Sequence, residues 1–149
     1  MTAAEVSVVQ RKLAIIQGAL VALQQAGPIA LDRYRADLWR RKGTERFLQE
    51  AIEAAIDIAT HLVTSAGRPA PADFYSAFIA LVDLGVLDAE LARALAPAAG
   101  LRNRLVHEYD DLDDARVLAA VDEAQKLLPR FMAAVSDWTK RDVGSEPRR

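Results

Sequence analysis

The amino-acid sequence predicts an all-α protein, an antiparallel up-and-down bundle of about five helices, and three observations support this prediction. Alanine is abundant, whereas the 149 residues include only 7 glycines and 6 prolines, a composition that favours helix. The long segments repeat apolar residues at intervals of three and four, and no segment shows convincing strand alternation. The connections between these segments are short, which is typical of neighbouring antiparallel helices.

The first helix is predicted over about residues 3–26, where Gly27-Pro28 ends it in the usual order. Its apolar seam advances in steps of three and four through Val6, Val9, Leu13, Ile16, Leu20 and Leu23. A basic segment compatible with helix follows at 30–42. We expect Gly43-Thr44 to break this segment and to cap the second long helix, 45–65.

Three more helices are predicted after the loop Gly67-Arg68-Pro69-Ala70-Pro71, in which two prolines exclude a helix interior. The third covers about 72–84 and stops at Gly85. The fourth covers about 89–108, with Asp88 as its N-cap and a bend near Pro97. The last follows an Asp-rich turn at 110–114, and Pro129 is expected to bend it. We expect one domain over residues 1–140 and a disordered tail over 141–149.

Composition excludes several classes of protein. The chain has no cysteine, so a disulfide framework, a thiolate nucleophile and a cysteine-based zinc site are absent. Residues 1–7 lack the basic region and apolar run of a signal peptide. No run of about 18 apolar residues is free of charge. We therefore expect a cytoplasmic protein without a membrane span.

The net charge of −2 does not suit nucleic-acid binding by bulk charge, so RNA would need a local basic patch. One candidate lies between residues 33 and 46 and contains Arg33, Arg35, Arg40, Arg41, Lys42 and Arg46. A solvated helix face is the alternative interpretation of these charges, and the charges alone do not decide between the two.

The fourth helix carries an arginine on its apolar seam, which reads Leu91, Leu95, Ala98, Arg102, Leu105 and Tyr109. A buried guanidinium is costly without a partner, so Arg102 is expected to meet a carboxylate, a phosphate or another subunit. Asn103 and His107 are neighbours at a spacing of four. His107 lies about 140° around the helix from Arg102, and a helix end at His107 or a second copy of the chain would bring the two together.

The segment Leu101–Tyr109, Leu-Arg-Asn-Arg-Leu-Val-His-Glu-Tyr, resembles the Arg-x4-His-x-Tyr motif of the HEPN superfamily, specifically the HepT toxins. The resemblance covers roughly residues 5–138. Leu101 departs from the aromatic residue more usual there, which concerns packing rather than chemistry. Flanking blocks also resemble the family's second helix, third helix and final turn, at 45–53, 55–62, 74–85 and 109–113.

The resemblance implies a HEPN-like fold and a homodimeric, metal-independent endoribonuclease toxin that needs no cofactor. By this resemblance Arg102 holds phosphate oxygens, His107 takes the 2′-OH proton of RNA, and Asn103 orients His107 or the phosphate. Tyr109 would receive AMP from an MntA-like nucleotidyltransferase antitoxin, which blocks the cleft by size and charge. The candidate RNA-binding residues are Arg40, Arg41, Lys42, Arg46 and Arg104.

Two alternatives remain beside this interpretation. The chain could be a non-catalytic HEPN-type module that binds a nucleotidyltransferase or a nucleotide, with Arg102 as a structural ion pair and His107 as a helix-end residue. Glu53, Asp57 and His61 recur every four residues and could form a metal stripe. With two histidines and no Glu-x-x-His pair, we expect no metal and favour a polar stripe that helps to hold Arg102.

Overall fold

The computed structural model describes residues 1–108 and 110–145, and these ranges contain seven α-helices and no strand. The predicted all-α bundle is therefore confirmed, although the expected fourth helix is divided and the basic segment adds a short helix. The helices are α1 Ala3–Ala26, α2 Leu31–Ala36, α3 Leu38–Ser65, α4 Phe74–Asp83, α5 Ala89–Leu95, α6 Pro97–His107 and α7 Asp114–Ser145.

Helix α1 has the predicted bounds because local signals fix both of its ends. The Thr2 hydroxyl accepts from the backbone N–H of Glu5 at 3.2 Å, and the Glu5 carboxylate accepts from the Thr2 N–H at 2.6 Å. This capping box satisfies two donors that have no partner inside the helix. At the other end Gly27 has a φ of 71°, a conformation that glycine adopts without steric cost.

Helix α3 begins seven residues before the predicted start at Glu45, so the expected break at Gly43-Thr44 is wrong. The Asp37 side chain caps the helix by accepting from the Arg40 N–H at 3.0 Å. A glycine inside a helix costs only about 1 kcal/mol relative to alanine, which the burial of Thr44 and of the apolar residues that follow readily offsets. The basic segment thus forms the short α2 and the first turn of α3.

The predicted fourth helix is two helices, α5 and α6, which meet at Ala96. Pro97 occupies the first turn of α6, where its missing N–H would have no partner anyway. The last helix is longer than predicted, because residues 141–145 continue α7 through Ser145 rather than starting the expected tail. The rest of that tail, 146–149, lies outside the described residues.

Helix α3 is the centre of the bundle, since it packs against α1, α2, α4, α6 and α7. Its completely buried residues include Leu48, Ile58 and Leu62. The opposite side of the core holds an edge-to-face pair of Phe78 and Phe131, with ring centroids 5.9 Å apart. These contacts fix α3 as the rigid support on which α6 lies.

Helix α1 is long and apolar enough to cross a membrane by length and composition, with a mean hydropathy of 1.4 in its most apolar window. Its residues Val9, Ile16, Ala19 and Leu20 are nevertheless buried in the core of the bundle. The helix packs chiefly on α3. One face of α1 therefore belongs to the core of the bundle.

Candidate active site

Arg102 lies on α6 and has a carboxylate partner on α3. Its Nε atom is 3.2 Å from Oε1 of Glu53, and only 22% of its side chain is exposed. The expectation that a guanidinium on this seam requires an anionic partner is therefore met within the chain. Glu53 ties the motif helix to the central helix of the bundle.

The three polar residues at a spacing of four on α3, Glu53, Asp57 and His61, do not point toward a common site. Asp57 accepts a hydrogen bond from Nζ of Lys12 on α1 at 2.8 Å. His61 points inward, and its buried Nε2 has no hydrogen-bond partner among the residues that the structure describes. The predicted role of this stripe in holding Arg102 is confirmed for Glu53 alone.

Phe74 completes the surroundings of Arg102, with its ring centroid 5.0 Å from the guanidinium carbon. Such an arrangement lets the negative face of the ring attract the cation. The apolar period of the third predicted helix places Phe74 in the core, but the residue is 37% exposed, so this contact was not predicted. Asp73 fixes the start of α4 by accepting from the Ser76 N–H at 2.7 Å, and this hydrogen bond lowers the pKa of Asp73.

His107 is the last residue of α6, and its side chain is exposed. The helix ends there as the backbone N–H of Glu108 donates to the carbonyl of Arg104 at 2.8 Å. On one α-helix, Arg102 and His107 are separated by about 7.5 Å along the axis and about 140° around it. The helix end at His107 does not bring the two together, because His107 is still helical and the ideal geometry places the cation and the imidazole on different sides of α6.

Asn103 lies beside Arg102, whose Nη1 is 3.4 Å from the Asn103 Oδ1. The amide oxygen accepts this long hydrogen bond at the exposed surface of α6. Asn103 therefore contacts the guanidinium itself. Tyr109, the last residue of the motif, lies outside the described residues.

Two of the predicted RNA-binding residues lie next to α6. Lys42 and Arg46 line a groove of about 350 Å³ between α3 and α6, together with Glu45, Gln49, Leu105 and Val106. Lys42 lies 3.3 Å from Glu45, and Arg46 lies 2.9 Å from Glu50. Because the end of α6 adjoins the first half of α3 while Arg102 meets Glu53, the two helices run antiparallel.

The other three predicted RNA-binding residues point elsewhere. Arg40 donates to the backbone carbonyl of Gly27. Arg41 lies 3.8 Å from Asp114 at the start of α7. Arg104 lies on the other side of α6, where it lines a mainly apolar cavity of about 340 Å³ between α6 and α7. The structure therefore does not gather the five residues into one surface.

A buried polar cluster lies beneath the start of α7. The Tyr34 ring is completely buried, and its hydroxyl has no hydrogen-bond partner of good geometry among the described residues, although Thr44 lies nearby. Burial, followed by the nearby carboxylates of Glu45 and Asp114, raises the pKa of Tyr34 to about 12. Asp114 also lies 3.9 Å from Arg35. These contacts fix the helix that follows the motif turn.

The chain is similar in sequence to ribonucleases of one family. The model of the family described as ribonuclease HepT-like matches residues 16–135. The tRNA nuclease HepT of Aphanizomenon flos-aquae is 36% identical over 138 residues, which cover 93% of this chain and 94% of that protein.

Two solved structures share the fold. The tri-AMPylated HEPN toxin of Shewanella oneidensis, in complex with MNT antitoxin, has a TM-score of 0.78 at 23% identity and covers 92% of this chain and 99% of its own. The cytosolic protein YutE of Bacillus subtilis, of unknown function, has a TM-score of 0.82 at 16% identity. The match covers 95% of this chain and 94% of YutE. At these identities the likeness concerns the helical architecture.

Proposed function

Because the chain belongs to the HepT-like ribonuclease family, we propose that it is the endoribonuclease toxin of a bacterial toxin–antitoxin pair, with its active site on α6. The relative from A. flos-aquae is a tRNA nuclease, so tRNA is the first substrate to test. We assign the protein to the cytoplasm, where tRNA is found.

The observation that carries this proposal is the state of Arg102. It is largely buried, paired with Glu53 and placed over Phe74, so the guanidinium is fixed in position before a substrate arrives. A preorganised cation is suited to stabilise charge that develops on a phosphate in a transition state. His107, exposed at the end of the same helix, supplies a group that exchanges protons near neutral pH.

The proposed reaction needs no metal. His107 takes the proton from a ribose 2′-OH, and the 2′-oxygen forms a bond to the adjacent phosphorus. The bond from phosphorus to the 5′-oxygen breaks, that oxygen receives a proton from water, and a 2′,3′-cyclic phosphate remains. Arg102 offsets the charge on the non-bridging oxygens, and Asn103, which contacts Arg102, orients the phosphate.

A homodimer would complete this site. Arg102 and His107 lie on different sides of α6, so one chain does not easily direct both at the same phosphate. A twofold axis near α6 would place Arg102 of one protomer opposite His107 of its partner. Lys42 and Arg46 would then hold RNA beside this cleft, since they line the groove against α6.

Neutralisation is proposed to occur at Tyr109. A nucleotidyltransferase antitoxin would transfer AMP from a nucleoside triphosphate. The phenolic oxygen attacks the α-phosphate, pyrophosphate leaves, and the phenolic proton is released. The added phosphodiester anion would pair with Arg102 and exclude RNA. The AMPylated toxin of S. oneidensis, bound to MNT antitoxin, supports this control.

A non-catalytic binding module is the second candidate, and the ion pair between Arg102 and Glu53 favours it, because the pair gives Arg102 a structural role. The module would bind a nucleotidyltransferase or a nucleotide without cutting RNA. The two candidates therefore differ in a single measurable property, the cleavage of RNA by the purified chain.

The test incubates purified protein with tRNA and excess EDTA. We expect cleavage by the wild type and none by Arg102→Ala or His107→Ala, with all variants folded by circular dichroism. Two matched controls should cut normally. One is His61→Gln, which alters the other histidine, and the second is Arg93→Ala, which removes an exposed arginine of α5. Wild-type activity that vanished with EDTA and returned with a divalent ion would refute the metal-independent mechanism.

A further inference from the structure

Trp39 is the most exposed large apolar residue in the described part of the chain, with 89% of its surface accessible. It lies in the first turn of α3, next to Leu38, which is 61% exposed. Exposing an indole to this extent forfeits the apolar burial that normally stabilises a tryptophan. A partner that covers the ring would recover this free energy.

Trp39 lies on a face of α3 along which the type of side chain changes in a regular order. The residues at spacings of three and four from it lie within an arc of about 80° on an ideal helix. We call this face the α3 stripe, and it consists of Trp39, Lys42, Arg46, Glu50, Glu53 and Asp57. Its first half is aromatic and basic, and its second half is acidic. The basic half adjoins the end of α6, because Lys42 and Arg46 share a groove with Leu105 and Val106.

We propose that Trp39 is a base-stacking platform for single-stranded RNA, which continues from the α6 cleft over Lys42 and Arg46. This inference rests on the proposed function. Aromatic rings that stack on bases, combined with cations that contact the phosphates, are the general means of binding single strands. Trp39 and Arg46 are about 10 Å apart along the helix axis, a distance that about three stacked nucleotides span.

Charge complementarity favours RNA over a protein partner at this face. Arg33 lines a second groove of about 710 Å³ beside Leu38, together with Asp37 and with Arg40, which donates to the Gly27 carbonyl. Arg33 is therefore a further cation close to the start of α3. If a twofold axis between two copies of the chain passed through Trp39, the basic residues beside Trp39 in both copies would crowd together and repel. A polyanion meets no such repulsion.

The experiment measures binding of a 12-nucleotide single-stranded RNA to full-length protein that carries His107→Ala, so that cleavage does not interfere. Because the chain has two tryptophans, Trp138→Phe is added where fluorescence is read, and the emission then reports Trp39 alone. We expect RNA to quench this emission. We also expect Trp39→Ala to weaken binding by about 5- to 100-fold and Trp39→Phe by no more than about threefold.

The matched control is Tyr75→Ala, which removes another exposed aromatic side chain, 52% accessible and adjacent to Phe74. It should change RNA affinity less than about twofold, since Tyr75 lies outside the α3 stripe. Equal losses in Trp39→Ala and Tyr75→Ala would overturn the proposal. So would unchanged RNA binding in Trp39→Ala.

A protein partner gives a different result. If Trp39 were shielded from acrylamide in RNA-free protein, and Trp39→Ala dissociated a dimer in sedimentation, the face would be a subunit contact and the proposal would be wrong. Binding and cleavage are read separately. If RNA quenches Trp39 but the wild type does not cleave it, the nuclease function is refuted and the stacking role of Trp39 is kept. If the wild type cleaves RNA and Trp39→Ala has no effect on binding, the stacking role is refuted and the nuclease function is kept.

Discussion

The Nε atom of Arg102 lies 3.2 Å from Oε1 of Glu53, so the cation that we assign to phosphate binding already has an anionic partner. We propose that Glu53 acts as a positioning residue, which holds the guanidinium and takes no part in the reaction itself. It also competes with the phosphate for the same charge. The positioning effect should appear in kcat, and the competition with phosphate should appear in KM.

We expect Glu53→Gln to lower kcat for RNA cleavage by about 10- to 100-fold, since small displacements of a catalytic group have effects of this size. KM should not rise, because the competing carboxylate is removed. The control is Asp57→Asn, one turn further along α3, which pairs with Lys12 instead of Arg102. Steady-state kinetics of both variants is the measurement, and equal losses of kcat would show that Glu53 has no specific role.

Tyr34→Phe tests the buried hydroxyl beneath α7. At pH 7 we expect the variant to be as stable as the wild type, or up to about 1 kcal/mol more stable. The reason is that the substitution removes a buried hydroxyl that has no good hydrogen-bond partner. Urea unfolding of the two proteins measures the difference. A loss of more than about 1 kcal/mol would mean that the hydroxyl makes a stabilising hydrogen bond.

The same variant should change the response to alkali. The pKa of Tyr34 is raised from 10.0 to about 12, so between these values the unfolded chain loses the proton and the folded chain keeps it. The free energy of unfolding of the wild type therefore falls as pH rises through this window, by about 2 to 3 kcal/mol from Tyr34 alone. Tyr34→Phe should lack this part of the decline, whereas Tyr75→Phe should retain it.

Gly43→Ala should stabilise the protein by about 0.5–1 kcal/mol, because Gly43 lies inside α3 and alanine lowers the entropy of the unfolded chain. A Cβ atom at this position meets no atom within 4 Å. Gly85→Ala is the opposite case, since the φ of 80° at Gly85 strains any residue with a side chain. Thermal unfolding that ranks the two variants in the reverse order would contradict the continuous course of α3.

Tyr109→Phe should abolish AMPylation by the cognate antitoxin, because phenylalanine lacks the acceptor oxygen. Intact mass after coexpression with the nucleotidyltransferase is the measurement. The chain has three tyrosines, and Tyr34 is buried, so Tyr75→Phe is the matched control and should carry the wild-type adducts. Identical adducts on Tyr109→Phe would place the modification at another residue.

The fold was predictable where its signals are local. Gly27 directly follows α1 and the apolar seam runs along it, so a local pattern is enough to predict this helix. The break expected at Gly43 was wrong because helix propensity was weighed without the packing that surrounds α3. Burial of Thr44 and Glu45 depends on residues far away in the sequence, which a local pattern does not contain.

The candidate site divides in the same way. Because Arg102 is a cation on an apolar seam, the sequence predicted that it has an anionic partner. The polar residues at a spacing of four on α3 indicated where that partner lies, and Glu53 is one of them. Phe74 and Trp39 gave no comparable signal, because an aromatic residue in an amphipathic helix is usually buried. Their exposure depends on which faces the neighbouring helices leave open, and that is a property of the tertiary structure.

The order of charges along the α3 stripe gives the molecule an electrical polarity that its net charge of −2 conceals. Lys42 and Arg46 lie in the first third of the helix, and Glu53 and Asp57 lie just beyond its midpoint. Each of the four has an ion-pair partner, so an approaching polyanion is attracted to the start of the helix only by the part of these charges that the pairs leave uncompensated. Long-range steering of this kind orients the encounter complex before any contact forms. The association rate should therefore fall steeply as ionic strength rises, although the protein as a whole is an anion.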